Sequence, residues 1–584
     1  MRHRPDRQHT PAGKGPLAKA RSRPHSRPGP HSRPGQANAR RADRQTHVGR
    51  ECVATCPFQV HMSGVRVTRT LPNPRLPIAL REAIAFAWER RRAWERDLNA
   101  ANQRGTGGSS AENTAETANA STSVGAAKGE RAGAGLVPPI TRPGIFHLAF
   151  PSILANLLYA VVAMVQTKFV GELGAEAVAA VGVGQRVFFA LQAVLMAISA
   201  GTTALVARAW GADDRTEASR VTMASLAVGG AFAIALTLPG FLAARPVASI
   251  FGLDAATIEL AASNVRWMSL FNVAFAINMV LGSALRAAGD AWSPLWVGAG
   301  VNVVNIPLLF LLVFGLYGVP AMGVAGAAFA GGVSFTLGGL VMLVMWIKQA
   351  FRLRYVSNGW YRRERFARLL QIGYPAGLEM LVFQAGFFIF LMLIGNYYGT
   401  EAFAAMSVGG NLMMVCFVVG FGFSIAGSTL VGQHLGADDH EGAVRSGWRS
   451  LWYAVLSMGS LGAVVAWHAP SLAAFFLGDE PVTIAHTIHM AWIMAAITPL
   501  FAVEFAIGGA LRGAGDTRFP LMATLIGLIG ARCGLAILFT LLGWPVGWVY
   551  AAMAGEYIVK AAMLLGRFRS GRWKTIAPIP RAAH

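Results

Sequence analysis

The feature that most constrains this chain is a series of apolar stretches, each long enough to cross a lipid bilayer, running from Ile145 almost to the C-terminus. A hydrocarbon core about 30 Å thick needs roughly 20 apolar residues of helix, since each residue advances about 1.5 Å. The runs predict spans near 145–167, 178–206, 221–243, 262–285, 293–316, 322–347, 369–396, 403–431, 449–467, 485–511, 519–542 and 546–566. Pro and Gly inside several of them suit membrane helices, whose neighbours satisfy the freed backbone groups. The expected fold is an all-α integral membrane bundle of about twelve transmembrane helices. Composition excludes an ordinary soluble core, because 54% of the 584 residues are hydrophobic and only 14% are charged.

The net charge of +22 does not point to nucleic acid, because the basic residues sit in an N-terminal tail and in short connections between apolar runs. Every second connection is basic: Arg208, Arg215 and Arg220; Arg286; the run from Lys348 to Arg368; Arg445 and Arg449; Arg512 and Arg518; then Arg567 to Lys574. By the positive-inside rule both termini of a multi-pass cell-membrane protein are then cytoplasmic, and the lipid bilayer is its principal partner. Residues 1–140 are rich in Arg, Pro, Gly, His and Ser and are expected to be a disordered basic tail. Within it, 76–98 reads either as a helix lying on anionic headgroups or as a solvated one. Met62 is an alternative start. Cys52 and Cys56 lack a companion pair, and Cys416 and Cys533 lie inside apolar runs as small hydrophobes.

The membrane region repeats itself. Ala149-Phe150-Pro151 returns as Gly373-Tyr374-Pro375, and Gly174-Ala175-Glu176-Ala177 as Gly399-Thr400-Glu401-Ala402. Gly211-Ala212-Asp213-Asp214 returns as Gly436-Ala437-Asp438-Asp439, and Leu285-Arg286-Ala287-Ala288-Gly289-Asp290 as Leu511-Arg512-Gly513-Ala514-Gly515-Asp516. The offset stays between 224 and 226 residues, so the matches are collinear. An even number of helices per half puts both halves in the membrane in the same sense, related by an axis along its normal. The domains expected are a first lobe at 141–350, a cytoplasmic linker at 351–368 that leaves the lobes free to rock, and a second lobe at 369–584.

The elements LRAAGD with Ser293-Pro294, LRGAGDTRFP at 511–520, GTEAFAA at 399–405, LVGQHLGADD at 430–439, and NVVNIP with GVAGAAFA within 302–330 resemble signatures of the multidrug and toxic compound extrusion (MATE) family. The likeness runs collinearly from about 145 to 570. It implies a secondary efflux antiporter of two six-helix lobes, driven by H⁺ or Na⁺, working as a monomer on a small organic molecule. Arg286, Asp290, Arg512 and Asp516 in the LRxAGD elements read as structure: a cation at a helix C-terminus and a tight turn.

Carboxylates inside hydrocarbon are costly and mark function. Glu379 and Glu504 lie in the seventh and tenth runs, 11 residues past Arg368 and 8 before Arg512, hence roughly 16 and 12 Å deep. A desolvated acid holds a proton at higher pH and, once relieved of it, attracts a cation, which is what ion coupling requires. Glu556 and Lys560 read as a neutralised i, i+4 bridge. Where relatives of the family carry a first-lobe acid, this chain has Gln166 and Ile306; Asn302 and Asn305 remain as polar groups. By repeat register Glu504 corresponds to Asn278 and Glu379 to Ala155, confining the acids to the second lobe. Phe383 and Phe387 share the face of Glu379, with Gln384 beside them, a pattern that suits a cationic or amphipathic aromatic compound and equally a lipid-facing or core stripe. The sequence has no phosphate-binding loop, metal-ligand cluster or nucleophile constellation, so ATP-driven transport and enzyme chemistry have no support, and no cofactor is expected beyond the coupling ion. Alternative readings are a lipid-linked saccharide flippase of a related superfamily and a membrane scaffold that does not transport.

Overall fold

The computed structural model describes residues 143–576 except 252–253, 316–317 and 478–480. The basic tail, with 76–98, Met62, Cys52 and Cys56, lies outside the described residues. The first repeat comprises α1 (Ile145–Gly171), α2 (Ala175–Gly211), α3 (Arg215–Leu242), the short α4 (Ala244–Ser249), α5 (Ala255–Leu270), α6 (Asn272–Ala287), α7 (Trp292–Phe314) and α8 (Gly323–Ile347). The second begins with α9 (Arg363–Gly436), a 74-residue helical run broken at Gly399. It continues with α10 (His440–Trp467), α11 (Ala469–Leu477), α12 (Pro481–Gly513), α13 (Arg518–Thr524), a π-helical segment (Leu525–Cys533), α14 (Gly534–Leu541) and α15 (Val546–Arg569). Among the described residues 11 helices are long and apolar enough to cross a membrane, or 12 if α5 and α6, bent by 52° to one another, form one span.

That bend departs from the single helix expected over 262–285. The Phe271 ring at the break packs against Gly332 of α8, where no side chain would fit. The expected span at 449–467 starts earlier, at His440, because the Asp439 carboxylate accepts the Gly442 backbone N–H at 2.7 Å and caps α10. Its counterpart Asp214 caps α3 in the same way, accepting from Glu217 N–H at 2.8 Å. The LRxAGD turns also match. Gly289 and Gly515 have φ of 88° and 85°, a conformation that favours glycine. They turn the chain so that Asp290 and Asp516 N–H donate back to the Leu285 and Leu511 carbonyls, each at 2.9 Å.

The lobes meet through glycines, and the contacts obey the repeat. Gly211 lies against the backbone of Gln433, while Gly436, its counterpart, lies against the backbone of Arg208, the counterpart of Gln433. Gly373 similarly abuts Ala197, so that a methyl added there would come within 2.6 Å of the Ala197 carbonyl oxygen, while Gly422 packs on Ala149. Side chains stitch the same region: Gln433 Nε2 donates to the Ala287 carbonyl at 2.8 Å, and Arg208 Nη2 to the Ala514 carbonyl at 3.3 Å. Contacts of the form i to j and j to i identify a two-fold relation between the lobes. The contacts of Gly211, Gly436, Gln433 and Arg208 lie at the ends of helices that carry the basic connections, while Ala197 and Gly422 lie deeper, 14 residues before Gly211 and Gly436 (211 − 197 and 436 − 422), so the lobes touch along the half of these helices nearest those connections. The helix that makes much of this seal is the most enclosed of the spans: 67% of the apolar window in Met413–Gly436 is buried, against 28% in α1.

The expected free linker is corrected. Its C-terminal part is already helical from Arg363, and the remainder is bound to the first lobe. Arg365 makes a two-point ion pair with Glu217 of α3, at 2.8 and 2.6 Å, and donates to the carbonyls of Gly359 and Trp360. Phe351 and Leu353 are buried in the first-lobe core.

Candidate transport site

The second lobe buries three acids and three cations on four adjoining elements. Glu379 projects from α9 and is 8% exposed. Arg512 of α12 holds it at two points, Nη2 to Oε1 at 2.7 Å and Nε to Oε2 at 3.2 Å, and Thr524 at the end of α13 donates to Oε1 at 3.4 Å. About two turns further into α12, Glu504 accepts from Lys560 Nζ of α15 at 2.9 Å. The same ammonium lies 2.8 Å from Glu556 Oε1, and the other Glu556 oxygen lies 2.5 Å from Arg532 Nε in the π-helical segment. These two contacts at Glu556 are close without being aligned as hydrogen bonds. Glu556, Lys560 and Arg532 are wholly enclosed, with side chains 0–1% exposed, whereas Glu504 and Glu379 keep 17% and 11%.

Local sequence explains the placement. Side chains on a helix lean toward its N-terminus, so Arg512 turns back along its own helix, its guanidinium 3.4 Å from the position a side chain on Gly508 would take. Arg512 stands in the last turn of α12, as expected of a helix-end cation, and its guanidinium also neutralises Glu379. Arg286 folds back over Gly282 in the same way, 3.2 Å from that position, but has no acid partner among the described residues, because Ala155 stands where Glu379 would be. Gly527, in the π-helical segment, lets the stem of Lys560 pass, since a methyl there would meet Lys560 Cγ at 2.7 Å. Asp290 and Asp516 differ in their partners. Asp290 accepts from the Ser293 hydroxyl at 2.6 Å at the start of α7, and Asp516 pairs with Arg567 of α15 at 2.7 Å.

Glu379 and Glu504, expected as desolvated acids within the membrane, are thus both paired with cations. The expected i, i+4 bridge between Glu556 and Lys560 is present, and it extends further: Lys560 links the pair to Glu504, and Arg532 completes the set. Arg532 escaped the sequence reading, although an arginine within an apolar run carries the same signal as an acid there. Phe383 and Phe387 stack with ring centroids 6.3 Å apart, and Lys560 Nζ lies 5.9 Å from the Phe383 ring, so the aromatic face adjoins the charges. Gln384 is exposed beside them.

The first-lobe polar residues do not assemble comparably. Asn278 spends its amide on the Ala274 and Phe335 carbonyls, at 2.9 and 2.7 Å, tying α6 to α8. Asn302 and Asn305 are buried on α7, with Asn302 Nδ2 unpartnered, and Gln166 is half-buried on α1. Among the described residues no hydrogen bond joins these four.

Two stretches of the chain, 151–311 and 375–538, match the MatE family model, one in each lobe and each beginning at a proline of the repeated motif. The chain belongs to this family. It is 30% identical over 464 residues to the probable multidrug resistance protein NorM of Thermotoga maritima, covering 76% of this chain and 95% of that one. It is 24% identical to the uncharacterized transporter YisQ of Bacillus subtilis, covering 74% and 94%. A MOP superfamily transporter from Pyrococcus furiosus shares the fold, with a TM-score of 0.68 at 21% identity over 73% of this chain and 94% of that chain. A multidrug resistance MATE family transporter described in an outward-facing conformation superposes with a TM-score of 0.67, also at 21% identity, over 73% and 94%. The MATE chain is therefore a multi-pass membrane transporter, and the expected two-lobed helical fold is the one observed.

Proposed function

We propose that this MATE protein is a secondary active exporter that exchanges a cation, H⁺ or Na⁺, for organic compounds by alternating access between its two lobes. The observation that carries the proposal is the pair of acids, Glu379 and Glu504, at the partly open edge of a buried charge network in one lobe. Names given to relatives, such as multidrug resistance protein, support an organic cargo. With the basic connections in the cytoplasm, the glycine seal closes the inner side and the cleft faces outward.

Charge compensation changes the expected substrate preference. Three carboxylates face three cations, so the network offers a cationic substrate no spare negative charge while all six groups are ionised. Protonating Glu504 removes its hold on Lys560 and leaves the lobe with an excess positive charge, which repels an organic cation from the Phe383–Phe387 face. Ion and cationic cargo thereby exclude one another, the differential interaction that an exchange cycle needs. An amphipathic aromatic compound gains its binding from the stacked rings.

The test is efflux of a panel of fluorescent organic cations from cells, with and without Na⁺ and with an uncoupler. Glu379→Gln and Glu504→Gln keep the side-chain shape and are expected to abolish gradient-driven efflux at unchanged membrane levels. Parental rates in both variants would move coupling elsewhere, and lipid scrambling without cargo exchange by the purified parent would favour a flippase.

A further inference from the structure

We propose that Lys560, assisted by Arg512, is a tethered cation that keeps Na⁺ out of the second-lobe carboxylates and restricts coupling to the proton. The inference rests on the reading of Glu379 and Glu504 as coupling acids and adds the identity of the ion.

A hard metal cation bound by a protein collects several oxygen ligands at once. In this lobe those oxygens are taken. The Lys560 ammonium lies 2.9 Å from Glu504 Oε1 and 2.8 Å from Glu556 Oε1, the place that a monovalent ion bridging the two carboxylates would occupy. Arg512 covers both oxygens of Glu379, with Thr524 on one of them. The other oxygen of Glu556 faces Arg532. Arg512, Arg532 and Tyr557 also lie within electrostatic reach of Glu504, and Tyr557 within reach of Glu556. Among these groups no acid is left over: three carboxylates balance three cations.

A sodium ion entering the cluster would set a second full positive charge beside an ammonium that its own helix prevents from leaving. The enclosure of Lys560, 1% exposed, denies that repulsion the screening of water. A proton escapes both restrictions. It needs one oxygen and no ligand shell, and it joins the acid without displacing the ammonium. Glu504 is the point of arrival because it is 17% exposed while Glu556 is fully enclosed. Once Glu504 is neutral, Lys560 remains held by Glu556, so the network stays assembled through the cycle. Gly527 fixes the device sterically, since only a residue without a side chain leaves room there for the lysine stem.

The test is direct Na⁺ binding to the purified full-length protein, titrated by calorimetry with NaCl against choline chloride at neutral pH. The parent and Lys560→Arg are expected to show no saturable Na⁺ uptake of heat. Lys560→Met, or Lys560→Gln where the first does not fold, is expected to acquire saturable Na⁺ binding at least tenfold stronger than any in the parent, removed again by adding Glu504→Gln. Saturable Na⁺ binding by the parent that Glu504→Gln abolishes would overturn the proposal, as would failure of both folded Lys560 variants to bind Na⁺. The underlying coupling reading fails by a different result: proteoliposomes in which neither a proton nor a sodium gradient drives efflux of any cation in the dye panel.

Discussion

At the scale of residues, the charge network predicts unequal consequences for chemically similar changes. Glu556 is the carboxylate shared by Lys560 and Arg532 in complete enclosure, so Glu556→Gln leaves two cations facing a single remaining acid, Glu504. Breaking a buried pair from one side costs about 3–5 kcal/mol. Glu504→Gln removes one partner from a lysine that keeps another, a loss nearer about 1.5–3 kcal/mol, the range for a hydrogen bond to a charged group. Thermal unfolding in detergent is expected to rank the variants parent, Glu504→Gln, Glu556→Gln, in falling midpoint; the reverse order of the two variants would show that Lys560 depends mainly on Glu504. Glu379 and Glu504 were legible in the sequence because an acid among apolar residues needs a reason. Their partners were not. Arg512 belongs to a turn motif that explains it without an acid, and nothing in the spacing of residues 504 and 560 reveals that α12 and α15 adjoin.

At the scale of elements, the repeated caps and glycines carry separate predictions. Asp439→Ala removes the cap of α10 and should destabilise the protein by about 1 kcal/mol, read as a lowered midpoint of thermal unfolding, with Asp214→Ala giving a similar loss at α3. Gly211→Val inserts a branched side chain where the backbone of Gln433 lies, and Gly436→Val does the same against Arg208. Membrane interfaces use small residues to bring helix backbones together, so either valine is expected to hold the seal apart. Thermal unfolding in detergent is then expected at a lower midpoint in either variant than in the parent, and an unchanged midpoint would show that the contact tolerates a side chain. Spans followed from apolar length. The break at Phe271 and the π-helical segment did not, since each answers to a neighbour: the ring of Phe271 to Gly332, and the widened turn to the passage of Lys560.

At the scale of the whole molecule, topology and linker give the remaining tests. In a background lacking the native cysteines, Glu172→Cys and Asn358→Cys are expected to react oppositely with an impermeant thiol reagent on intact cells, position 172 being labelled; equal labelling would reverse the assignment of sides. Glu217→Gln removes the anion that holds Arg365 and should raise the rate of proteolysis within 349–362 in inverted vesicles several-fold, whereas an unchanged rate would mean that burial of Phe351 and Leu353 suffices to hold the linker. The two-lobed plan was readable from the repeat alone, because collinear motifs at a nearly constant offset leave few other architectures; the clamp on the linker was not, since Glu217 and Arg365 are far apart in sequence. The confinement of the acids to one half has a consequence for cargo. Two halves that repeat one another in sequence differ in what they bury, and Gln166, Asn302 and Asn305 of the first lie outside the charge network of the second. On the coupling proposed above, a new cargo can be accommodated by changes in the first half that leave the charges of the second untouched.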